Sequence, residues 1–128
     1  MNEIELRTWL DAYGRAWEFT DPDAAMRLFT EDARYYETPF DEPLHGREGV
    51  RSYWAGATGS QRDISFTYEI LATLPHRGIA RWSAEFTRLA NGKRMKLDGV
   101  FVLDFDNHGL CRVLREWWHA LDGPPQDA

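Results

Sequence analysis

The spacing of apolar residues along this chain changes once, and that change limits the fold more than any motif does. Leu6, Trp9, Leu10, Tyr13 and Trp17 recur at intervals of three and four, which marks one buried helical face. From Ala33 onward the period is two. Ile64, Phe66, Tyr68 and Ile70 alternate with polar residues, as do Ala80, Trp82, Ala84 and Phe86; such alternation marks strands with one covered face. Helices followed by a run of strands is an α+β order. With 128 residues and no long polar tract, a single domain is expected.

Local signals place the elements. Asn2, with Glu5 three residues later, forms a capping-box pattern that opens a helix over residues 2–19. Asp21-Pro22-Asp23 opens a second helix with a cap, a proline at the first helical position and an acid near the positive end. A short strand over Ala33–Glu37 ends at the Pro39 and Pro43 loop. His45-Gly46-Arg47 then leads into a third helix, where Val50, Tyr53 and Trp54 share a face, and the Gly/Ser/Thr-rich residues 56–60 read as a loop. Asn91-Gly92 predicts a hairpin, residues 106–109 a turn, and Leu110 to Leu121 the last strand. The domain is assigned to residues 1–122 and a flexible tail to 123–128. The last two strands are apolar on both faces, with Phe101 and Leu103 opposed to Val100 and Val102, and Trp118 to Trp117. That pattern predicts helices against one face and a second subunit against the other, hence a homodimer.

Apolar residues make up 43% of the chain and aromatic residues 14%, enough for a packed core, so a disordered chain is excluded. Fifteen basic against 21 acidic residues give a net charge of −6, unsuited to nucleic acid or an anionic membrane. The single cysteine, Cys111, allows neither an intrachain disulfide nor a four-thiolate zinc site. The opening MNEIELRTWL lacks the basic and apolar regions of a signal peptide. No stretch reaches the roughly 20 apolar residues that span a bilayer. A cytoplasmic location is expected.

Four stretches together resemble the nuclear transport factor 2-like superfamily and its SnoaL-like branch. They are Tyr13 to Trp17, Asp23 to Ala33, His45 to Trp54, and Phe105 to His119. The resemblance implies a cystatin-like cone, in which a curved antiparallel or mixed sheet wraps around three N-terminal helices. It also implies one deep pocket per subunit and dimerisation through the convex sheet face. Members include ketosteroid isomerases, limonene epoxide hydrolases, scytalone dehydratases and polyketide cyclases, so the fold alone does not select a reaction. The isomerases' oxyanion-binding tyrosine falls on Tyr13. Their catalytic aspartate falls on Glu37, or on Thr38 if one gap is allowed. Their second oxyanion acid falls on Phe101, where that role is absent; Asp98 lies three strand residues away, on the opposite face.

Glu37 shares strand parity with Ala33 and Tyr35. A carboxylate walled by aromatics is desolvated, as a general base or acid near neutrality requires. Glu116 shares parity with Leu114 and Trp118, the face that the resemblance turns into the pocket. Either it completes an acid–base pair, or it forms an internal ion pair with Arg81 or Arg112. Tyr13 and Tyr35 are candidate hydrogen-bond donors, and Trp17, Tyr35, Trp54, Phe101 and Trp118 candidate walls for a flat apolar ligand. Trp82 belongs with these walls or with the core. Glu116-x-x-His119 has a metal-ligand spacing that works on a helix, whereas on a strand the two side chains diverge. No metal site is expected. The chain carries no Ser/His/Asp motif, phosphate loop or dinucleotide fingerprint, and no cofactor is expected. These residues suit cofactor-free isomerisation, cyclisation or dehydration of a small apolar or aromatic molecule, with Glu37 as base and Tyr13 as donor. The alternatives are a non-catalytic ligand-binding or accessory subunit, and an epoxide hydrolase, which requires an inward Asp–Arg–Asp set.

Overall fold

The computed structural model describes residues 1–125. In chain order the elements are α1 (Glu3–Glu18), α2 (Pro22–Met26), β1 (Phe29–Tyr36), β2 (Leu44–His45), α3 (Gly46–Thr58), β3 (Gln61–Leu74), β4 (Arg77–Arg88), β5 (Lys93–Phe105) and β6 (Cys111–Pro125). The six strands form one curved sheet in the order β2-β1-β6-β5-β4-β3. β1 runs parallel to β6, and the other neighbours are antiparallel. The α+β architecture read from the sequence is the one observed.

α1 begins at a complete capping box: Glu5 N–H donates to Asn2 Oδ1 at 2.8 Å, and Asn2 N–H to Glu5 Oε1 at 3.1 Å. Its buried stripe is Leu6, Trp9, Leu10 and Tyr13. Trp9 anchors this stripe, meeting Phe29 and Phe105 edge-on and donating its indole N–H to Leu28 O at 3.0 Å. The helix lies against β3, and Gly14 permits the approach: a Cβ there would stand 2.6 Å from Phe66 Cδ1. Asp21 caps α2 by accepting from Ala24 N–H at 3.0 Å.

Several boundaries differ from the sequence reading. β1 begins at Phe29, four residues before the expected Ala33. α3 continues through Thr58, whose hydroxyl donates to Trp54 O at 2.7 Å, so packing and a local bond override the loop-like composition of residues 56–58. The two-residue strand β2 has no alternation to reveal it. β6 continues through Gly123–Pro125, with Pro125 in register with Lys93, so these residues extend the sheet rather than begin a tail. Residues 126–128 of the expected tail lie outside the described residues.

The sheet has two distinct faces. Ala80, Trp82, Ala84, Phe101, Leu103 and Leu114 are buried against the helices. On the other face Val100, Val102 and Val113 are half-buried and Trp117 is 49% exposed. Gly99 lets two indoles close over β5 from either side: a Cβ there would lie 3.0 Å from Trp82 Cε2 and 2.8 Å from Trp118 Cβ. Among the described residues, no helix is long and apolar enough to cross a membrane.

Candidate functional site

Between the helices and the curved sheet lies a cavity of about 180 Å³. α1 contributes Tyr13 and Trp17, and α3 contributes Tyr53 and Trp54. Tyr35 enters from β1, with Glu37 just past its end, while Glu116 and Trp118 enter from β6. Strand parity explains the last four, since Ala33, Tyr35 and Glu37 share one face and Leu114, Glu116 and Trp118 another. Phe101 does not reach the cavity. It is fully buried behind Trp82, whose ring stacks on it at 5.2 Å and 18°, so the expected wall residue is core and Trp82 is the wall.

The carboxyl groups are held differently. Tyr53 Oη donates to Glu37 Oε1 at 2.6 Å, and Trp118 Nε1 donates to the Glu37 backbone carbonyl at 3.0 Å. Together they fix a half-buried glutamate at the end of a strand. Thr38 turns away, donating to Asp41 Oδ2 at 3.0 Å, so Glu37 and not Thr38 lines the cavity. Asp98 binds Arg81 and Ser83, and Phe101, three residues along β5, points into the core.

Glu116 is the desolvated carboxyl, at 6% exposure. Burial pushes its pKa well above the ordinary carboxylate range, the nearby charge of Glu37 pushes it further, and a hydrogen bond with Tyr35 opposes the shift. The internal ion pair with Arg81 or Arg112 is not formed. Arg81 serves Asp98, Arg112 is exposed, and the Tyr35 hydroxyl takes the place of a cation. Tyr35 Oη in turn meets Tyr13 Oη at 2.8 Å. Burial holds both phenols well above their usual pKa, so each keeps its proton. Tyr35 thus stands between Tyr13, which it bonds, and Glu116, on whose carboxyl it acts.

Sequence reading named Tyr53 only as part of a helix face and passed over Gln61 and Arg88, which also line the cavity. For Arg88 the signal was present: it continues the inward series Trp82, Ala84, Phe86 on β4. Gln61 is its register partner on β3 and accepts from Trp17 Nε1 at 2.8 Å.

Glu116 predicts a pH-dependent cost. In the unfolded chain it ionises near its ordinary 4.5, whereas the folded carboxyl keeps its proton to higher pH. The folded state therefore binds more protons across that window, and stability falls as pH rises through it. Glu116→Gln removes this loss and retains a partner for Tyr35. Urea unfolding should show the variant more stable than wild type at neutral pH, with the gain vanishing near about pH 4. An equal offset at both pH values would contradict a raised Glu116 pKa.

A family model for the SnoaL-like domain matches residues 8–113. Among solved structures, the chain is similar to the epoxide hydrolase/cyclase-like enzyme SalBIII of pyran ring formation in polyether salinomycin. That match has 21% identity, 92% of this chain and 93% of the other covered, and a TM-score of 0.80. It is similar also to the Δ5-3-ketosteroid isomerase from Mycobacterium sp., with 18% identity, 92% and 98% coverage and a TM-score of 0.78. A computationally designed 17-OHP binder matches with 18% identity, 92% and 96% coverage and a TM-score of 0.78. At these identities the likeness to solved structures speaks for the fold, while the family model spans most of the sequence. This chain belongs to the SnoaL-like domain family, within the nuclear transport factor 2-like fold.

Proposed function

We propose that the protein is a cofactor-free proton-transfer catalyst, of isomerase, cyclase or dehydratase type, acting on a small apolar or aromatic molecule in the cavity. The observation that carries this reading is the pairing of two unlike carboxyl groups in one aromatic-walled cavity. Glu37 is the base, its free oxygen open to take a proton. Glu116 is the neutral acid at the end of the tyrosine chain. A carboxyl kept neutral by burial beside a second carboxyl is how a site runs acid and base chemistry together.

The direction of hydrogen bonding follows from the state of Glu116. An ionised Glu116 can only accept, so Tyr35 donates to it, Tyr13 donates to Tyr35, and no hydroxyl proton is left over. A protonated Glu116 can donate to Tyr35, which then donates to Tyr13, and the Tyr13 hydroxyl becomes free to donate to a ligand oxygen. In an isomerisation, Glu37 takes a proton from carbon beside a carbonyl, the electron pair moves onto the oxygen held by Tyr13, and Glu37 returns the proton at another carbon. The second oxyanion acid that is absent at Phe101 is supplied one strand over, since Glu116 is the register partner of Phe101. An Asp–Arg–Asp set is not formed: among the described residues, Arg88 bonds neither Glu37 nor Glu116.

Assembly belongs to the same reading. A homodimer through the outer sheet face would cover Val100, Val102, Val113 and Trp117, and needs an interface of roughly 1,000 Å² or more. Sedimentation at micromolar concentration is expected to give the dimer mass; a monomer would contradict it.

The catalytic test is proton exchange. A panel of cyclic ketones and enones incubated with the protein in deuterated water should include one whose α-protons exchange faster than in buffer. Glu37→Gln, which keeps shape and removes basicity, should slow that exchange by about 10²–10⁴-fold while binding persists. Exchange undiminished in Glu37→Gln would overturn the assignment of the base. Binding without exchange across the panel would favour the ligand-binding alternative.

A further inference from the structure

The wall of the cavity formed by β3, β4 and the end of α1 presents hydrogen-bond donors and no free acceptor among its side chains. Arg88 extends inward from β4 in step with Trp82 and Phe86, and among the described residues its guanidinium has neither an ion pair nor a hydrogen bond. Opposite it stands Gln61. Because an indole N–H only donates, the Trp17 Nε1 contact at 2.8 Å fixes the Gln61 amide oxygen as acceptor and leaves its NH₂ facing outward from that bond. Trp82, 2% exposed, is the third: its Nε1 is buried with no acceptor among the described residues. Trp17 joins the three, contacting Trp82 at 5.9 Å and Phe86 at 6.5 Å while holding Gln61.

A buried N–H without an acceptor is costly, and an inward arginine without a carboxylate is unusual in a chain where acids outnumber bases 21 to 15. A group that accepts and never donates, and that carries negative charge, satisfies Arg88 and the Gln61 NH₂, which are register partners on β4 and β3. Glu116 is in register, across β5, with Ala80, eight residues along β4 from Arg88. A ligand anion is drawn to the Arg88 end and repelled from the Glu37–Glu116 end, which fixes the ligand's direction.

We propose that the cavity takes an aromatic or alicyclic carboxylate, its carboxylate seated on Arg88 and Gln61, its ring against Trp17, Trp82 and Phe86, and its far end toward Glu37 and Glu116. This rests on the cavity being the ligand site and deepens the proton-transfer reading by naming the substrate class. Arg88 is the specificity-determining residue.

The test compares naphthoate with the matched naphthamide by calorimetric titration of the full chain. The two share ring and shape, and differ in charge and in the amide's own donors. Wild type should bind naphthoate about tenfold tighter or more, the scale of a charge-assisted hydrogen bond. Arg88→Gln should erase the preference by weakening naphthoate about tenfold or more, and Arg88→Lys should keep part of it. Equal affinity for the two compounds in wild type, or an undiminished preference in Arg88→Gln, would overturn the carboxylate proposal and leave the proton-transfer reading standing. Failure of both compounds to bind would overturn it together with the cavity's role as the ligand site.

Discussion

A glutamate buried among aromatic rings must find a partner, and at Glu116 the partner is a phenol, Tyr35, instead of a cation. Everything distinctive in the cavity follows from that substitution. A cation would have held the carboxylate ionised and produced an inert internal salt bridge. Tyrosine hydroxyls accept as well as donate, so they tolerate either state of the carboxyl. Burial and the neighbouring charge of Glu37 then favour the protonated one. In the proposed mechanism, Tyr35 and Tyr13 pass this choice on to the cavity as the orientation of their hydrogen bonds.

The fold holds this arrangement by joining elements distant in sequence. Glu37 lies just beyond β1, where a strand end is free to fray, and two bonds from elsewhere hold it: an indole from β6 on its carbonyl and a phenol from α3 on its carboxylate. The parallel pairing of β1 with β6 places Tyr35 beside Leu114, next to the strand position of Glu116. Gly14 and Gly99 omit side chains where α1 meets Phe66 and where Trp82 and Trp118 close over β5. Acids at one end and donors at the other give the cavity a polarity, and an apolar ligand with one charged end matches it.

Periodicity carried most of the architecture. The change from a spacing of three and four to a spacing of two placed α1 and the long strands, and the capping signals of Asn2 and Asp21 are made as read. Parity likewise turned Tyr35, Glu37 and Glu116 toward one side. What parity cannot supply is depth. It does not say that the Trp82 ring covers Phe101, so Phe101 was expected in the wall and Trp82 was left between wall and core. Partner choice was equally hidden. Nothing local to Glu116 distinguishes an arginine from a tyrosine as its partner, because Tyr35 is 81 positions away and meets it only once β1 and β6 pair. The end of α3 was misread for the opposite reason, since glycine and threonine in residues 56–58 are poor helix formers by themselves and are kept helical by the turn that Thr58 bonds to Trp54.

The central claim is that Glu116 enters the cavity as a neutral acid, and its side-chain carboxyl carbon reports this directly. In a chain labelled at glutamate and followed by NMR across pH, the resonance assigned through Glu116→Gln should titrate with a midpoint well above the ordinary carboxylate range. Its midpoint should move down in Glu37→Gln, where the neighbouring negative charge is gone. A Glu116 midpoint at or below the ordinary value of about 4.3 would mean that the tyrosines hold a carboxylate, and the acid–base pairing on which the account is built would fail.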